Sequence, residues 1–322
     1  MSLKVLEDIN KKFGPGSLIR LGDNPIEKPE TISTGIIGLD HALGIGGFPI
    51  GRLVEVYGQS GTGKSCICYQ TMASAQAKGY NVAYIDAEQA FDPGTAEMLG
   101  VKVDDLFVSQ PSSGNEALEI AELLIKSKEF KLVIIDSVAA LVPTEELTAD
   151  YGDAVIGRQA KLVSQACRRL SPLCNENNVL LVFTNQIRDN IGAFGYAEQT
   201  QTVGGKALPF FAGIRIELKR IQQVKDGEVI VGHRIKAKTV KNRTAAPFKE
   251  TQYEITYGQN DIKYNEIMEL GVEHKIIDKS GAWYSYKGER VGQGKDNSKL
   301  WLKANPEKTA EIELEIRKKL EL

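Results

Sequence analysis

The middle of the chain alternates short apolar runs with stretches in which apolar residues recur at helical spacing. The runs begin at residues 53, 81, 106, 131 and 178 and read LVEVYG, NVAYIDAE, LFVSQ, KLVIIDS and NVLLVFTNQ. Helical spacing separates them at residues 64–77, near Ala96, and over residues 115–126 and 157–175. Apolar strands without polar alternation, each followed by a helix, are typical of a parallel sheet covered on both faces. The pattern therefore predicts an α/β core with a mostly parallel, doubly wound sheet.

The segments on either side of this core have different patterns. Apolar positions 3, 5, 6 and 9 predict one short N-terminal helix, and residues 17–21 read as a strand. After residue 186 a long loop precedes three strand-like runs without intervening helices, which predicts antiparallel strands at one side of the sheet. Two later helical stretches enclose GAWYSYKGERVGQG, which predicts a hairpin. We therefore divide the chain into an N-terminal helix and strand, a core and a small C-terminal α+β domain, over residues 1–30, 31–260 and 261–322.

The composition of the 322 residues, with 42% hydrophobic and 25% charged, is that of an ordinary globular protein. No apolar run reaches 18 residues and the first residues lack the apolar core of a signal peptide, so we expect a soluble cytoplasmic protein. The net charge is −2, but residues 86–150 hold 14 acidic and 4 basic side chains, whereas residues 187–250 hold 12 basic and 6 acidic ones. Such a basic block is either a solvated face or a surface for a polyanion.

Residues 58–65 form the strongest local motif. Their sequence, GQSGTGKS, fits G-x-x-x-x-G-K-[ST] and lies between a predicted strand and the helix that Lys64 opens. Glycines let backbone N–H groups turn toward phosphate oxygens, Lys64 can reach the β and γ phosphates, and Ser65 can ligate Mg²⁺. A plain glycine-rich turn is the alternative, which the flanking strand and helix disfavour. The predicted phosphate-binding residues are Gly58, Gln59, Ser60, Gly61, Thr62, Gly63, Lys64 and Ser65.

Polar side chains end three further strands at the sheet edge where ligands gather in α/β folds. Asp136 ends KLVIID, where a carboxylate can hold Mg²⁺ through water. Glu88 ends YIDAE and can polarise a water for attack on the γ-phosphate, although it could also be a surface carboxylate that caps the next helix. Asp86, two residues deeper, is the weaker candidate. Gln186 ends FTNQ, and its amide can sense the γ-phosphate and couple nucleotide state to the following loop.

Residues 13 to about 318 resemble the bacterial-type RecA recombinase family of ATP-dependent DNA strand-exchange proteins. The resembling segments occur in the family's order: KFGPGSLIRLG, ETISTGIIGLDHALGIGGFPIGRLVEVYG, IDAEQAFDP, VIIDSVAALVP, NQIR, VGGKAL, TVKNRTAAPFK and GAWYSYKGERVGQGK. The resemblance implies a RecA-type P-loop NTPase core, a short N-terminal helix and strand that pack between subunits, and a small C-terminal α+β domain.

The resemblance also implies roles for residues of the ATP site. Lys64 and Ser65 would bind phosphate and Mg²⁺, and Asp136 would hold the metal through water. Glu88 would activate the hydrolytic water and Gln186 would sense the γ-phosphate. The basic residues of TVKNRTAAPF would reach the ATP of the neighbouring subunit, so that hydrolysis depends on assembly. The interface cations are Lys241 and Arg243, and the two residues expected near adenine are Asp92 and Tyr257.

The DNA contacts follow from the same resemblance. Residues 152–158 and 189–205 match the family's two DNA-contacting loops, and the basic block over residues 187–250 then has an explanation as a phosphate-binding groove. The individual candidates are Lys161, Arg168, Arg188, Gly204 and Gly205. The loop over residues 189–203 departs from the common family sequence. Thr95 stands where an aromatic residue usually stacks on adenine, and Pro209 replaces a basic residue beside Phe210 at the interface.

The family reading predicts an ATP- and Mg²⁺-dependent recombinase that forms a helical filament on single-stranded DNA, pairs it with homologous duplex DNA and exchanges strands in recombinational repair and the SOS response. Gln222 stands where the family usually has glycine in the region that self-cleaving repressors engage, which argues against a repressor co-protease role. Two alternatives remain, a hexameric helicase-like motor on the same ATPase core and an ATP-binding filament regulator without strand exchange. The intact set of Lys64, Glu88, Asp136 and Gln186 argues against the regulator.

Overall fold

The computed structural model describes residues 4–20, 22, 29–148, 150, 157–189 and 200–322. The chain divides into two units, Met1–Glu30 and Thr31–Leu322. In the first, Lys4–Phe13 forms helix α1, as predicted. The predicted strand over residues 17–21 does not form over residues 17–20, and Leu21 lies outside the described residues. The reason is local, because the Asn10 side chain accepts a bond from the Leu18 N–H (3.0 Å) and donates to its carbonyl (2.9 Å).

The second unit contains the predicted alternation of strands and helices. Its strands are β1 Thr31–Ile32, β2 Phe48–Pro49, β3 Leu53–Gly58, β4 Asn81–Asp86, β5 Leu106–Ser109, β6 Phe130–Asp136, β7 Leu180–Asp189, β8 Thr200–Thr202, β9 Ile214–Asp226, β10 Val229–Asn242, β11 Glu250–Thr256, β12 Asp278–Ser280, β13 Trp283–Tyr286 and β14 Glu289–Gln293. Its helices are α2 Ile37–Leu43, α3 Lys64–Ala77, α4 Pro93–Met98, α5 Gly114–Ser127, α6 Thr144–Leu147, α7 Arg158–Asn177, α8 Ala207–Phe211, α9 Ile262–Glu273, α10 Lys295–Ala304 and α11 Pro306–Lys319.

The main sheet has the order β11-β10-β9-β3-β7-β6-β4-β5, with β8 beside β7. Neighbours from β9 to β5 pair in parallel, whereas β9, β10 and β11 pair antiparallel. The predicted α/β class with a mostly parallel sheet is therefore confirmed, and antiparallel strands extend it on one side. Strand β7 continues past its predicted end at Gln186, because Ile187 and the two residues after it pair with β8.

Hydrophobic residues pack against both faces of this sheet. Successive residues of one strand enter different clusters: Ile134 of β6 belongs to the cluster that contains Ile67 of α3, and Ile135 to the one that contains Val163 of α7. This alternation follows from the two-residue period of a strand, and helices on both sides make each face a buried one. The carboxyl ends of β3, β4, β6 and β7 consequently lie at one edge, which the helices leave open for a site.

The C-terminal residues form a three-stranded antiparallel sheet, β12-β13-β14, with α9, α10 and α11, and the predicted hairpin is β13 with β14. A third cluster, which includes Tyr286, Val291 and Ile312, fills this part. Glu266 of α9 is buried and accepts bonds from the backbone N–H groups of Ile37 (2.7 Å) and Gly38 (2.9 Å), and burial raises the pKa of Glu266 to about 8. The boundary at residues 260 and 261 remains a prediction. None of the described helices is long and apolar enough to cross a membrane.

Candidate active site

The loop between β3 and α3 has a backbone that only glycine accommodates at two positions. Gly61 and Gly63 have φ values of +69° and +83°, in the left-handed region that residues with a Cβ rarely adopt. A Cβ on Gly63 would lie 2.4 Å from Cδ1 of Ile255, and one on Gly61 would lie 2.7 Å from Nη2 of Arg220. The loop therefore enters α3 in the geometry that turns backbone N–H groups and the helix N-terminus toward an anion.

Lys64 and Thr62 fix this loop by side-chain bonds to its own carbonyls. The buried Lys64 Nζ donates to the carbonyl oxygens of Gly58 (3.2 Å) and Gln59 (3.0 Å), and Thr62 Oγ1 donates to Gln59 (2.8 Å). Burial lowers the pKa of Lys64, while the carboxylates of Asp136 and Glu88 raise it. The cation is thus held in the loop with two carboxylates near enough to influence its charge.

Asp136, at the end of β6, is held by three side-chain hydroxyl groups. Its Oδ2 accepts hydrogen bonds from Ser65 Oγ (2.9 Å) and Tyr84 OH (2.6 Å), and its Oδ1 accepts one from Thr184 Oγ1. Burial raises the pKa of Tyr84 and the Asp136 carboxylate adds to that shift, so the tyrosine remains a proton donor. The adjacent Ser65 hydroxyl and Asp136 carboxylate are hard oxygen ligands, which fit Mg²⁺.

Tyr84 and Thr184 belong to the site but were not predicted. Each lies two residues before a predicted site position, Tyr84 before Asp86 on β4 and Thr184 before Gln186 on β7. Their hydroxyl groups lie within otherwise apolar strands, and this is the sequence feature that could have marked them as site residues. Only the register of β4, β6 and β7 shows that both hydroxyl groups point to the same carboxylate.

Glu88 and Gln186 meet at the carboxyl edge of the sheet. Gln186 Nε2 donates to Glu88 Oε1 at 3.2 Å, and Ser137 Oγ donates to the same oxygen. The side chain of Glu88 is exposed, so water can reach it. Asp86, the weaker candidate, is buried and accepts bonds from the backbone N–H groups of Ala90 and Phe91, so it supports the loop after β4.

Asp92 and Tyr257 lie on separate elements and have separate partners. Asp92 caps α4 by accepting from the Gly94 N–H (3.0 Å) and Thr95 Oγ1 (2.5 Å), and these bonds lower the pKa of Asp92. The Tyr257 ring is 56% exposed, and its hydroxyl is hydrogen-bonded to Nδ1 of His233. A planar aromatic ring that is accessible on one side can stack on another ring.

Lys241 and Arg243 bind the carboxyl end of α8 in their own chain. Lys241 Nζ donates to the carbonyl oxygens of Pro209 (2.8 Å) and Phe210 (2.7 Å), and Arg243 Nη2 donates to Phe210 (3.3 Å). Burial, followed by the neighbouring Arg243 and Arg215, lowers the pKa of Lys241 to about 8. In the sheet Lys241 lies opposite Arg215, which is itself opposite residue 55 of β3. Lys241 is thus about 10 Å along the strands from the phosphate loop that follows residue 58, and Arg243 lies farther from it, because its N–H bonds to the carbonyl of Gly213 (3.0 Å), the residue before β9.

The described ends of the two predicted DNA loops meet at the start of α7. Gly204 and Gly205 adopt φ values of +86° and +79° and pack closely, since a Cβ on them would lie 2.9 Å from Val138 Cγ1 and 3.1 Å from Ala160 Cβ. Gly157 precedes α7 directly. Residues 152–156 and 190–199 of the predicted loops lie outside the described residues.

Lys161 and Arg168 lie on one face of α7, seven residues apart, and both are exposed. Ser164 orients Arg168 through its carbonyl oxygen (3.2 Å to Nε) and its hydroxyl (3.0 Å to Nη2). Arg188 is exposed on β7, opposite Gln201 of β8. A cavity of about 810 Å³ opens beside β8, and it is lined in part by Lys206, Arg215, Lys238, Tyr57, Phe210 and Phe248.

Comparison with known proteins identifies the family. The model of the RecA N-terminal domain matches residues 2–262, and that of the RecA C-terminal domain matches residues 265–321. The chain belongs to the RecA family. A protein named Protein RecA from Thioalkalivibrio sulfidiphilus (strain HL-EbGR7) is 48% identical over 316 residues, which cover 98% of this chain and 92% of that protein. Protein RecA of Staphylococcus aureus (strain JH9) is 47% identical over 317 residues, 98% of this chain and 91% of that protein.

Membership in the RecA family establishes the general activity. RecA proteins are DNA-dependent ATPases and recombinases that use ATP with Mg²⁺, bind single-stranded and duplex DNA, and assemble into filaments. Because the N-terminal and C-terminal RecA models together match nearly the whole chain, the match extends beyond the ATPase core that RecA proteins share with helicase-like motors. The oxygen ligands at Ser65 and Asp136 agree with this use of Mg²⁺.

Proposed function

We propose that ATP hydrolysis by Glu88, sensed by Gln186, drives filament turnover on single-stranded DNA while the filament pairs homologous duplex DNA and exchanges strands. The observation that carries the proposal is the 3.2 Å hydrogen bond between Gln186 Nε2 and Glu88 Oε1. It joins the proposed water-activating carboxylate to a side chain three positions before the predicted DNA loop, which begins at residue 189. The proposed nucleotide sensor and the DNA candidate Arg188 are therefore two positions apart along the chain.

In this proposal the loop residues bind and orient the triphosphate. The residues Gly58, Gln59, Ser60, Gly61, Thr62, Gly63, Lys64 and Ser65 supply backbone N–H groups, one ammonium group and one hydroxyl. Mg²⁺, when bound, neutralises charge on the β and γ phosphate oxygens. Ser65 would ligate it directly, and Asp136 would hold it through water. Tyr84 and Thr184 keep the Asp136 carboxylate in one orientation, since each donates to one of its oxygens.

Glu88 takes the proton of the attacking water. Its exposure leaves room for that water, and Ser137 holds one carboxylate oxygen while the other remains available as the base. Gln186 would exchange its bond to Glu88 for one to the γ-phosphate. The Gln186 carbonyl accepts a bond from the Val203 N–H (3.1 Å), which lies directly before Gly204, so a displacement of this residue would reach the stem of the DNA loop.

Lys241 and Arg243 act on the ATP of a neighbouring subunit. Their position, about 10 Å along the sheet from their own phosphate loop for Lys241 and more for Arg243, supports action in trans over action in cis. Residues 1–30 would take part in the same assembly, since Val5 and Phe13 of α1 are 56% and 68% exposed. We assign the adenine side of the site to Asp92 and Tyr257.

The DNA groove consists of Lys161, Arg168, Arg188, Gly204 and Gly205. The three cations would bind phosphates, which requires no base sequence, and the two glycines let the loop pack closely against α7. We propose that the protein works on DNA in the cytoplasm, and that Gln222, which lies on β9, does not support repressor cleavage.

A strand-exchange assay with circular single-stranded DNA and homologous linear duplex tests the proposal. Wild type should form joint molecules with ATP and Mg²⁺. Glu88→Gln should form filaments and joint molecules but hydrolyse ATP about 10²–10⁴-fold more slowly, because only the general base is lost. Glu307→Gln, an exposed carboxylate on α11, is the control and should behave as wild type. Filaments without joint molecules in the wild type would favour the regulatory alternative, and closed rings in electron micrographs would favour the helicase-like one.

A further inference from the structure

Glu55 is a fully buried carboxylate in the middle of β3, among apolar neighbours. Its Oε1 accepts a hydrogen bond from Asn185 Nδ2 of β7 at 2.8 Å, and its Oε2 pairs with Arg215 Nε of β9 at 2.5 Å. One side chain thus joins the strands on both sides of its own. It takes no part in the phosphate loop or the Mg²⁺ site described above.

Asn185 connects Glu55 to the nucleotide sensor and to the DNA loop. Its Oδ1 accepts a bond from the Gln186 N–H (2.8 Å), and its Nδ2 donates to the Val203 carbonyl (2.9 Å) as well as to Glu55. The single amide group therefore holds Gln186, three residues before the predicted DNA loop, and Val203, near the end of that loop. A backbone displacement of Gln186 would change the bond from its N–H to Asn185.

Arg215 connects Glu55 to the proposed interface cations. Its guanidinium carbon lies 4.6 Å from the centre of the Tyr57 ring, and its charge is among those that lower the pKa of Lys241. Lys241 in turn binds the end of α8, the helix that follows the DNA loop. A path of hydrogen bonds therefore runs from Gln186 through the buried Asn185 and Glu55 to the half-buried Arg215, which lies opposite Lys241 in the sheet.

Stability alone does not account for this arrangement. A buried ion pair gains little over well-packed apolar residues of similar volume, because desolvation offsets the attraction. Buried polar networks with all partners satisfied instead specify one arrangement, and a change at one member propagates to the others.

We propose that Glu55 is a positioning residue that couples nucleotide occupancy at Gln186 to DNA binding at the loop stem and to the interface cation Lys241. The inference rests on the proposed function of Gln186. In the Glu55→Gln variant the oxygen can still accept from Asn185, but the amide nitrogen faces Arg215 and the ion pair is lost. Nucleotide binding without DNA should stay within about twofold of wild type, since Glu55 lies outside the phosphate loop.

Reciprocal linkage provides the test. One measurement is the ratio of affinities for a fluorescein-labelled oligothymidine with saturating ATPγS and without nucleotide, and the other is the ratio of ATPγS affinities with and without saturating oligothymidine. For equilibrium binding, a variant that loses coupling must reduce both ratios by the same factor. We expect Glu55→Gln to reduce both by about fivefold or more, within the usual range of allosteric couplings.

Two further variants make the result decisive. Glu254→Gln removes a carboxylate that is also paired with an arginine, Arg234, at 3.0 Å, but on β11, and it should keep both ratios. Arg215→Lys keeps the positive charge but lacks the hydrogen bond from Nε to Glu55. It should reduce both affinity ratios as Glu55→Gln does, and it serves as the test if Glu55→Gln does not fold. In the variant that carries both Glu55→Gln and Arg215→Lys, the two affinity ratios should fall no further than in either single variant. Wild-type coupling retained in Glu55→Gln or Arg215→Lys overturns the proposal, whereas absence of coupling in wild type itself refutes the sensor role of Gln186.

Discussion

The Ser65 hydroxyl at the start of α3 donates a hydrogen bond to the Asp136 carboxylate at the end of β6, across 2.9 Å. The two residues are 71 positions apart in sequence and come together because β3 and β6 flank β7 in one parallel sheet. Parallel strands place their carboxyl ends at the same edge, so a loop after one strand and an acid after another become neighbours. The pairing brings together the two oxygen-bearing side chains that we propose to hold Mg²⁺, Ser65 directly and Asp136 through water.

Replacement of Lys64 by alanine should abolish detectable ATP binding. The ammonium group is the only charge that the loop itself places against the phosphates, and it is already held between the Gly58 and Gln59 carbonyls. Titration with a fluorescent ATP analogue measures the change, with Lys78→Ala, at the other end of α3, as the control. Binding of ATP by Lys64→Ala with wild-type affinity would contradict the assignment of the phosphate loop.

Thr184→Val and Tyr84→Phe should weaken the dependence on Mg²⁺ rather than the affinity for DNA. Each removes one hydroxyl donor from Asp136, which leaves the carboxylate free to rotate. Loss of a hydrogen bond to a charged group costs about 1.5–3 kcal/mol, which corresponds to a shift of about tenfold or more in the Mg²⁺ concentration for half-maximal ATPase activity. An unchanged Mg²⁺ profile in both variants would show that these hydroxyls do not orient the metal-binding carboxylate.

Neutralising Arg168 or Arg188 should lower the salt dependence of single-stranded DNA binding. Each phosphate contact contributes about one unit to the slope of log affinity against log salt, because it releases a counterion. Arg169→Ala is a matched control, since this arginine, next to Arg168 on α7, is paired with Glu122 at 2.6 Å. If the slopes of both test variants equal that of wild type, neither arginine belongs to the DNA groove.

The sequence was sufficient to predict which residues meet at the carboxyl edge of the sheet, because each lies at or near the end of an apolar run, although β4 ends at Asp86 and β7 continues to Asp189. An apolar run precedes each of these positions, which are residues 58–65, Glu88, Asp136 and Gln186. Because the carboxyl ends of parallel strands share one edge of the sheet, the sequence alone predicts that these residues lie close together. The buried contacts of Glu55 were not predictable in this way. They join it to Asn185 and Arg215, 130 and 160 positions away, and they depend on the register of three strands.

The wrong prediction has an equally specific cause. Residues 17–20 have the composition of a strand, but a strand forms only when its backbone groups have a ladder partner. The Asn10 side chain occupies both backbone groups of Leu18. A single side-chain contact of this kind leaves no periodic signal in the sequence.

The ATPase activity should fall as the pH rises through about 8. Burial and the neighbouring Arg243 lower the pKa of Lys241 to about 8, so this cation loses its charge above that pH and keeps it below. Lys241→Arg keeps a positive charge at all of these pH values and should remove the fall, if the pH dependence arises at this residue. ATP turnover with saturating single-stranded DNA from pH 6.5 to 9 measures it, and an identical profile in both proteins would assign the fall to another group.

The trans role of Lys241 and Arg243 predicts that two variants, each inactive alone, will restore ATP hydrolysis in mixed filaments. One carries alanine at positions 241 and 243, and the other is Glu88→Gln, which keeps both cations. A nucleotide site of the first variant becomes complete where its neighbour is the second, so an equal, random mixture should reach about one quarter of wild-type turnover. A cis role leaves every subunit incomplete and predicts no gain over the separate variants. The mixing is measured at constant total protein on single-stranded DNA, with light scattering to confirm that both proteins assemble together, and co-assembly without restored hydrolysis would rule out action across the interface.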